Sequence, residues 1–281
     1  MPRTIWLASY PKSGNTWLRV FLANLLFPEQ APVDIASLPL RTPIAADRRL
    51  FDTRLGIPSA FLTPEEIARL RPEADREVAA EHPLPLLLRK VHDAYTRLAD
   101  GRPLLGSAPD FAAIYILRDP LDVAASAANH WGCSADGGAE RMLDPTFGLA
   151  RGRRGLPAQL PQTLLSWSAH VLSWIEAPMP IHLMRFRAMR ESPLPTFRAA
   201  VRFLGLEQGD GAIAAAIAAS SFENLRAQES AHRFPEAPRA VPRFFRSGGC
   251  GDGARLLSPA LRQALERESA IVETRLAALG L

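Results

Sequence analysis

The run Thr4-Ile5-Trp6-Leu7-Ala8-Ser9 passes through Tyr10-Pro11-Lys12-Ser13-Gly14-Asn15 into the apolar stretch Thr16 to Leu26, and this unit constrains the fold more than any other. The first six residues read as a buried strand, the Pro/Gly-marked turn as a tight loop, and the third part as a helix. A strand that feeds through a short loop into a helix belongs to an α/β architecture. A loop that opens a helix also presents backbone N–H groups and the positive helix end to an anion. Lys12 adds a mobile positive charge, and the hydroxyls of Ser13 and Thr16 add donors.

The rest of the chain repeats the alternation. Leu84 to Val91, Ala112 to Leu117 and Ile181 to Phe186 read as further strands. Helices are predicted from Pro64 (with Thr63 as N-cap), from Asp119 to about His130, and over 162–175, 195–204, 211–219 and 258–279. This order predicts an α/β, three-layer fold with a mainly parallel central sheet flanked by helices. Ligands then bind at the carboxyl ends of the strands. The length of 281 residues fits one domain, 1–281. Residues 28–64 are proline-rich and irregular, and the glycine-rich stretch 132–155 is expected to be mobile. No apolar run is long enough to span a bilayer, and no signal peptide is read at the N-terminus. The cysteines Cys133 and Cys250 suggest no disulfide framework, so a cytoplasmic protein without membrane attachment is expected.

Charge narrows the partners. The net charge of +4 and pI near 9.6 suit an anionic ligand, but the basic residues are dispersed, so no nucleic-acid surface is expected. Of 33 basic residues only Lys12 and Lys90 are lysine. A chain that uses arginine almost everywhere keeps lysine where a compact, flexible ammonium is needed, or by chance. Both lysines fall in motif-like segments.

Lys90 and His92 lie two apart at the end of a strand and therefore project to the same side. Imidazole titrates near neutrality, which suits a general base. Arg118 ends the next strand, where its forked donors suit phosphate oxygens. Asp119 and Asp122 read as N-cap and N3 residues of the following helix. The loop around Gly14 is not that of a nucleotide kinase, whose G-x-x-x-x-G-K-[ST] places lysine directly after the last glycine. Here lysine precedes Gly14 by two positions.

The segment Y-P-K-S-G-N-T-W, residues 10–17, resembles the 5′-phosphosulfate loop of sulfotransferases that use 3′-phosphoadenosine 5′-phosphosulfate (PAPS), whose usual form is Y-P-K-S-G-T-T-W. Only Asn15 departs, and its amide still offers donors. The resemblance implies that Lys12 contacts the donor's phosphate and bridging oxygen, that Ser13, Gly14, Asn15 and Thr16 bind phosphate, and that Trp17 stacks on adenine. Ordinary helix core is the alternative for Trp17. Arg89-Lys90-Val91-His92 is similar to the family's K-T-H, which implies His92 as base and Lys90 as partner of the transferring group. Arg118 and Ser126 match the family's 3′-phosphate pair. Ser221 and Phe222 resemble its S/T-S-F adenine bracket, with a helix-end core aromatic as the alternative for Phe222. Arg246, Ser247 and Gly248 fall in a segment similar to F-x-R-K-G-x-x-G-D-W, with Ser247 replacing lysine and Gly253 tryptophan. Phe186 keeps the ring of a family aromatic without its hydroxyl.

By this resemblance, to a bacterial member of the group that includes the cytosolic sulfotransferases, the co-substrate is PAPS and the product adenosine 3′,5′-bisphosphate (PAP). No metal is expected. The acceptor is a small molecule, glycan or peptide bearing a hydroxyl or amine, and residues 28–80, 132–160 and 227–242 are expected to build its pocket. His130 and Trp131 could border that pocket, whereas Trp167 and Trp174 read as core. A P-loop nucleotide kinase and a non-catalytic nucleotide-binding relative are the alternatives. Oligomeric state is open.

Overall fold

A computed structural model describes residues 2–152, 155–238, 241, 243–246 and 248–281. Four parallel strands form the central sheet: β1 (Arg3–Ser9), β2 (Leu86–Val91) and β3 (Phe111–Leu117), with a fourth at Ile181–Arg185. Their spatial order is β2, β1, β3 and then the strand Ile181–Arg185. A separate antiparallel pair joins Gly148–Leu149 to Gln162–Thr163.

Alternation along β1 and β3 builds the three layers. Ile5 and Leu7 of β1 and Ala112, Ile114 and Ile116 of β3 face one side, where they meet Leu18, Phe21 and Leu22 of the helix Asn15–Leu26 and Phe197 of the helix Pro193–Phe203. Trp6, Ala8, Ala113 and Tyr115 face the other side, against Val123, Trp174 and Leu265 from three further helices. All of these strand residues are fully buried. Each large apolar side chain removed from water contributes about 1.5–3 kcal/mol, so a strand apolar on both faces is held from both sides.

The sequence reading erred in several places. The helix expected over 162–175 begins at Trp167, because Gln162–Thr163 pair as a strand and Leu165 takes a left-handed φ of 64° before the Ser166 N-cap. The stretch 132–155, expected to be mobile, contains the helix Ala135–Leu143, capped by the Ser134 hydroxyl, and one strand of the antiparallel pair. Gly138 there is required by close packing: a Cβ would lie 2.7 Å from the Ala124 carbonyl oxygen of the neighbouring helix. Phe186, read as the end of a strand, instead opens the helix Phe186–Glu191.

The carboxyl ends of β1, β2 and β3 deliver Ser9, His92 and Arg118 to one edge of the sheet. Next to β2, residues 43–45 run alongside Lys90, whose N–H donates to Pro43 O (3.1 Å) and whose carbonyl accepts from Ala45 N–H (2.8 Å). This edge is the floor of the cavity.

Candidate active site

A cavity of about 550 Å³ opens at the carboxyl ends of the strands. Lys12, Gly14, Asn15, Thr16, Trp17, Lys90, His92, Arg118, Ser126, Phe186, Phe222, Arg246 and Gly248 all line it. Two of the site residues read from the sequence do not line it. Ser13 is buried beneath the loop, with an Oγ that has no hydrogen-bond partner. Ser221 spends its Oγ on the Asn224 N–H as a helix N-cap, and the neighbouring Ser220 lines the cavity instead. Ser247 lies outside the described residues.

The loop is held in an unusual shape. Lys12 has φ 71° and Gly14 φ 110°. A non-glycine residue in the left-handed region costs of order 1–3 kcal/mol, which fixed surroundings must offset. Asn15 supplies part of that fixation: its amide donates to Leu7 O (2.7 Å) and Ser9 Oγ (3.3 Å). This corrects the expectation that the Asn15 side chain serves a ligand, because its two N–H donors are spent on β1. The backbone N–H groups of Gly14, Asn15 and Thr16 have no protein acceptor among the described residues. Together with the helix start they form an anion cradle.

The two lysines differ. Lys12 Nζ rests 3.6 Å from the Phe244 ring centroid. Burial, with Lys90 and Arg118 nearby, lowers its pKa to about 7. Lys90 Nζ instead meets the Glu236 carboxylate at 2.7 Å. Glu236 also receives both terminal nitrogens of Arg19, at 2.7 and 2.9 Å, and Arg19 is fully buried. Facing Lys90 and Arg19, Glu236 is held well below the usual carboxylate range, although burial alone would raise it.

His92 has a defined tautomer. Its Nδ1 lies 2.9 Å from the Ser9 carbonyl oxygen, which can only accept, so Nδ1 carries the hydrogen and Nε2 keeps its lone pair. Burial first, and Lys90 second, push its pKa well below the ordinary imidazole value, so the ring is neutral near pH 7. The backbone around it is braced. Tyr115 OH donates to His170 Nδ1 (2.9 Å), and His170 Nε2–H donates to His92 O (3.1 Å). Asp93 accepts a bidentate pair from Arg71 at 2.8 and 2.7 Å, and its carbonyl accepts from Trp174 Nε1.

Arg118 and Asp122 tie the loops together. Arg118 donates to Lys12 O (2.9 Å) and Gly249 O (2.8 Å), and its Nε has no partner. Asp119 caps its helix as expected, accepting from Leu121 N–H. Asp122 does not cap: its carboxylate accepts from the N–H groups of Gly251 and Gly253. Trp17 and Phe186 pack edge to face at 6.0 Å, and the Phe186 ring lies so close to Gly14 that a Cβ there would come within 2.6 Å of it. The Phe222 ring packs similarly on Gly248. Trp131 packs on Phe147, whereas His130 lines the cavity. Trp167 and Trp174 are core.

Arg19 and Glu236 escaped the sequence reading. Glu236 sits in a stretch with no recognisable pattern, and no sequence signal couples it to Arg19, 217 positions away. Among the described residues no group of three or more His, Cys, Asp or Glu side chains is placed to hold a metal ion.

Comparison with known proteins identifies the family and the fold. The sulfotransferase domain family matches residues 2–270. Cytosolic sulfotransferase 16 of Arabidopsis thaliana is 24% identical over 277 residues, covering 94% of this chain and 74% of the relative. Among solved structures, retinol dehydratase in complex with androsterone and PAP aligns with TM-score 0.62 at 16% identity, over 96% of this chain and 80% of that one. A mouse sulfotransferase complexed with PAP aligns with TM-score 0.57 at 19% identity, over 94% and 82%. At these identities the structural matches establish the shared fold.

Proposed function

The chain belongs to the sulfotransferase domain family, and from that premise we propose that its cavity takes PAPS and that His92 activates the hydroxyl that receives the sulfuryl group. The observation that carries this reading is the locked imidazole. His92 Nδ1–H is committed to Ser9 O, leaving the Nε2 lone pair free in the cavity that Lys12 and Lys90 also line.

The side chains present fit the co-substrate. The cradle of backbone N–H groups, the Thr16 side chain and the Lys12 ammonium suit its 5′ end. Arg118, Ser126, Arg246 and Gly248 suit its 3′-phosphate, and Trp17, Phe186 and Phe222 offer rings to its base. PAPS supplies an activated sulfuryl group on a phosphate leaving group. The acceptor oxygen forms the new bond to sulfur and gives its proton to His92 Nε2. The sulfur–oxygen bond to the 5′-phosphate breaks, and its electron pair leaves on the phosphate of PAP. Lys12 neutralises that oxygen, and Lys90 the spreading sulfuryl charge. Apart from the proton taken by His92, no covalent bond forms to the protein, so catalysis comes from position, charge and general-base help.

The kinase alternative finds no support. A non-catalytic role is disfavoured because Lys12, Lys90 and a correctly tautomeric His92 line one cavity. The span of the family match supports reading the chain as one domain, and the name of the plant relative supports a cytoplasmic setting. No helix among the described residues is long and apolar enough to cross a membrane.

The test is His92→Gln assayed with labelled PAPS and an acceptor panel. Loss of a general base lowers kcat by about 10²–10⁴-fold, with PAP affinity kept within about threefold. Wild-type turnover in this variant would refute His92 as base.

A further inference from the structure

The cavity holds a second imidazole. His130, near the end of the helix Pro120–Trp131, lines the cavity, and its Nδ1 is buried without a hydrogen-bond partner. Nδ1 is closed off from the cavity, and Nε2, which makes no hydrogen bond among the described residues, is the nitrogen left to meet a ligand. The ring packs edge to face on Phe244 at 6.0 Å, and Lys12 Nζ rests 3.6 Å from the centroid of that same ring. His130 therefore stands beside the transfer centre. Burial first, then Lys12 and Lys90, lowers its pKa to about 3, so the ring stays neutral and competes for no proton with His92.

The wall beside the base sets two polar residues, Asp47 and Gln159, among the apolar Ile44, Leu149 and Ala158. Residues 43–45 run along Lys90, and Asp47 pairs with Gln159 in an isolated antiparallel bridge. Asp47 spends one carboxylate oxygen on the Leu50 N–H, and Gln159 spends its Oε1 on Gln162. The second oxygen of Asp47 and the Nε2 of Gln159 make no further hydrogen bond among the described residues, and both residues line the cavity. Lys12 covers one face of Phe244, so that face offers no platform to a flat acceptor. A steroid or phenol would bury these polar groups unmatched, whereas a polyol would pair them.

We propose that the acceptor is a polyhydroxylated molecule of carbohydrate type, and that His130 binds a hydroxyl next to the one sulfated. This rests on the sulfotransferase reading and sharpens it. His92 takes the proton of the reacting hydroxyl, while His130 makes a hydrogen bond to its neighbour and exchanges no proton. His130 is thus a specificity residue.

The experiment compares wild type, His130→Phe and His130→Gln with labelled PAPS on methyl glucoside, a tetrasaccharide, 2-naphthol and 1-octanol, with PAP affinity measured separately by calorimetry. Wild type is expected to sulfate one of the sugars with kcat/KM at least about tenfold above naphthol and octanol. Methyl glucoside and the tetrasaccharide distinguish a free sugar from a chain end. His130→Phe should lower the sugar reaction about 10–100-fold, leave PAP affinity within about twofold, and spare octanol, while Gln restores part of the loss. A wild-type preference for naphthol or octanol, or an equal loss on all acceptors in His130→Phe, would overturn the proposal while leaving the donor site intact. Weaker PAP binding in His130→Phe would place the residue on the donor and overturn it also. Absence of PAP binding by wild type would sink the donor reading itself, and this proposal with it.

Discussion

Replacing Glu236 by glutamine tests whether the charge cluster beneath the cavity holds the fold. The carboxylate faces Arg19, whose side chain is 0% exposed, and Lys90, at 11%, and is itself 19% exposed. Removing one partner of a buried ion pair costs about 3–5 kcal/mol, because the remaining charge stays desolvated. Glutamine keeps a neutral oxygen for Arg19, and the partial exposure of Glu236 screens the cluster, so about 2–3 kcal/mol is the expected loss. At about 2–4 °C per kcal/mol for a chain of this size, Tm should fall by roughly 5–10 °C. The loss also depends on pH. Burial already lowers the Lys90 pKa despite Glu236, and without the carboxylate it falls further. A lysine whose folded pKa lies below its unfolded value binds more protons when unfolded, so stability rises with pH between the two values. Thermal unfolding followed by circular dichroism at pH 6 and pH 8.5 should therefore show the larger deficit at the lower pH, where Lys90 gives up its proton less readily. A Tm within about 1 °C of wild type at both pH values would refute the reasoning that the cluster is buried and mutually dependent.

The lowered Lys12 pKa of about 7 predicts proton uptake on binding PAP. A bound anion raises that pKa, so dissociation constants should be nearly flat below pH 7 and rise by up to about tenfold per pH unit above it; calorimetry in two buffers of different ionisation enthalpy at pH 8 would show the uptake, and its absence would remove Lys12 as the linked group. Gly14→Ala should destabilise the protein by about 1–3 kcal/mol and abolish PAP binding, since Gly14 has φ 110° and the new Cβ would lie 2.6 Å from the Phe186 ring; a variant that binds PAP normally would show that the loop can be reshaped.

The parallel sheet was legible because β1 and β3 are apolar on both faces, a pattern that only coverage by helices satisfies. The loop at 10–17 was legible because its chemistry is local: a glycine, a lysine and a helix start within a few residues. What escaped is nonlocal. Asn15 looks like a ligand donor until β1 is seen beside it, with the Leu7 carbonyl at 2.7 Å. Ser221 reads as a contact to base, yet its hydroxyl is consumed by the turn three residues on. Gly132 to Gly155 reads as mobile by composition, but Gly138 is needed so that two helices can approach. Arg19 could be placed on its helix from sequence, but a fully buried arginine is intelligible only with Glu236 opposite.

Asp122 and Gly253 show how two departures from expectation explain each other. Read alone, Asp122 is a helix-start acid and Gly253 a replacement for the tryptophan of the family's segment. In the structure Gly253 lies against the Leu121–Asp122 backbone, where a Cβ would come within 2.2 Å of the Leu121 carbonyl oxygen, so no larger residue fits this loop path. The approach that requires glycine also brings the Gly251 and Gly253 N–H groups to within 2.9–3.0 Å of the Asp122 carboxylate. Hydrogen bonds to an ionised acceptor are the stronger kind. One turn earlier, Arg118 holds Lys12 O and Gly249 O. The start of one helix thus fastens the loop after β1 to the loop that carries Gly249, Gly251 and Gly253. The segment that has Gly253 where the family's pattern has tryptophan is therefore anchored by its own backbone donors to an aspartate.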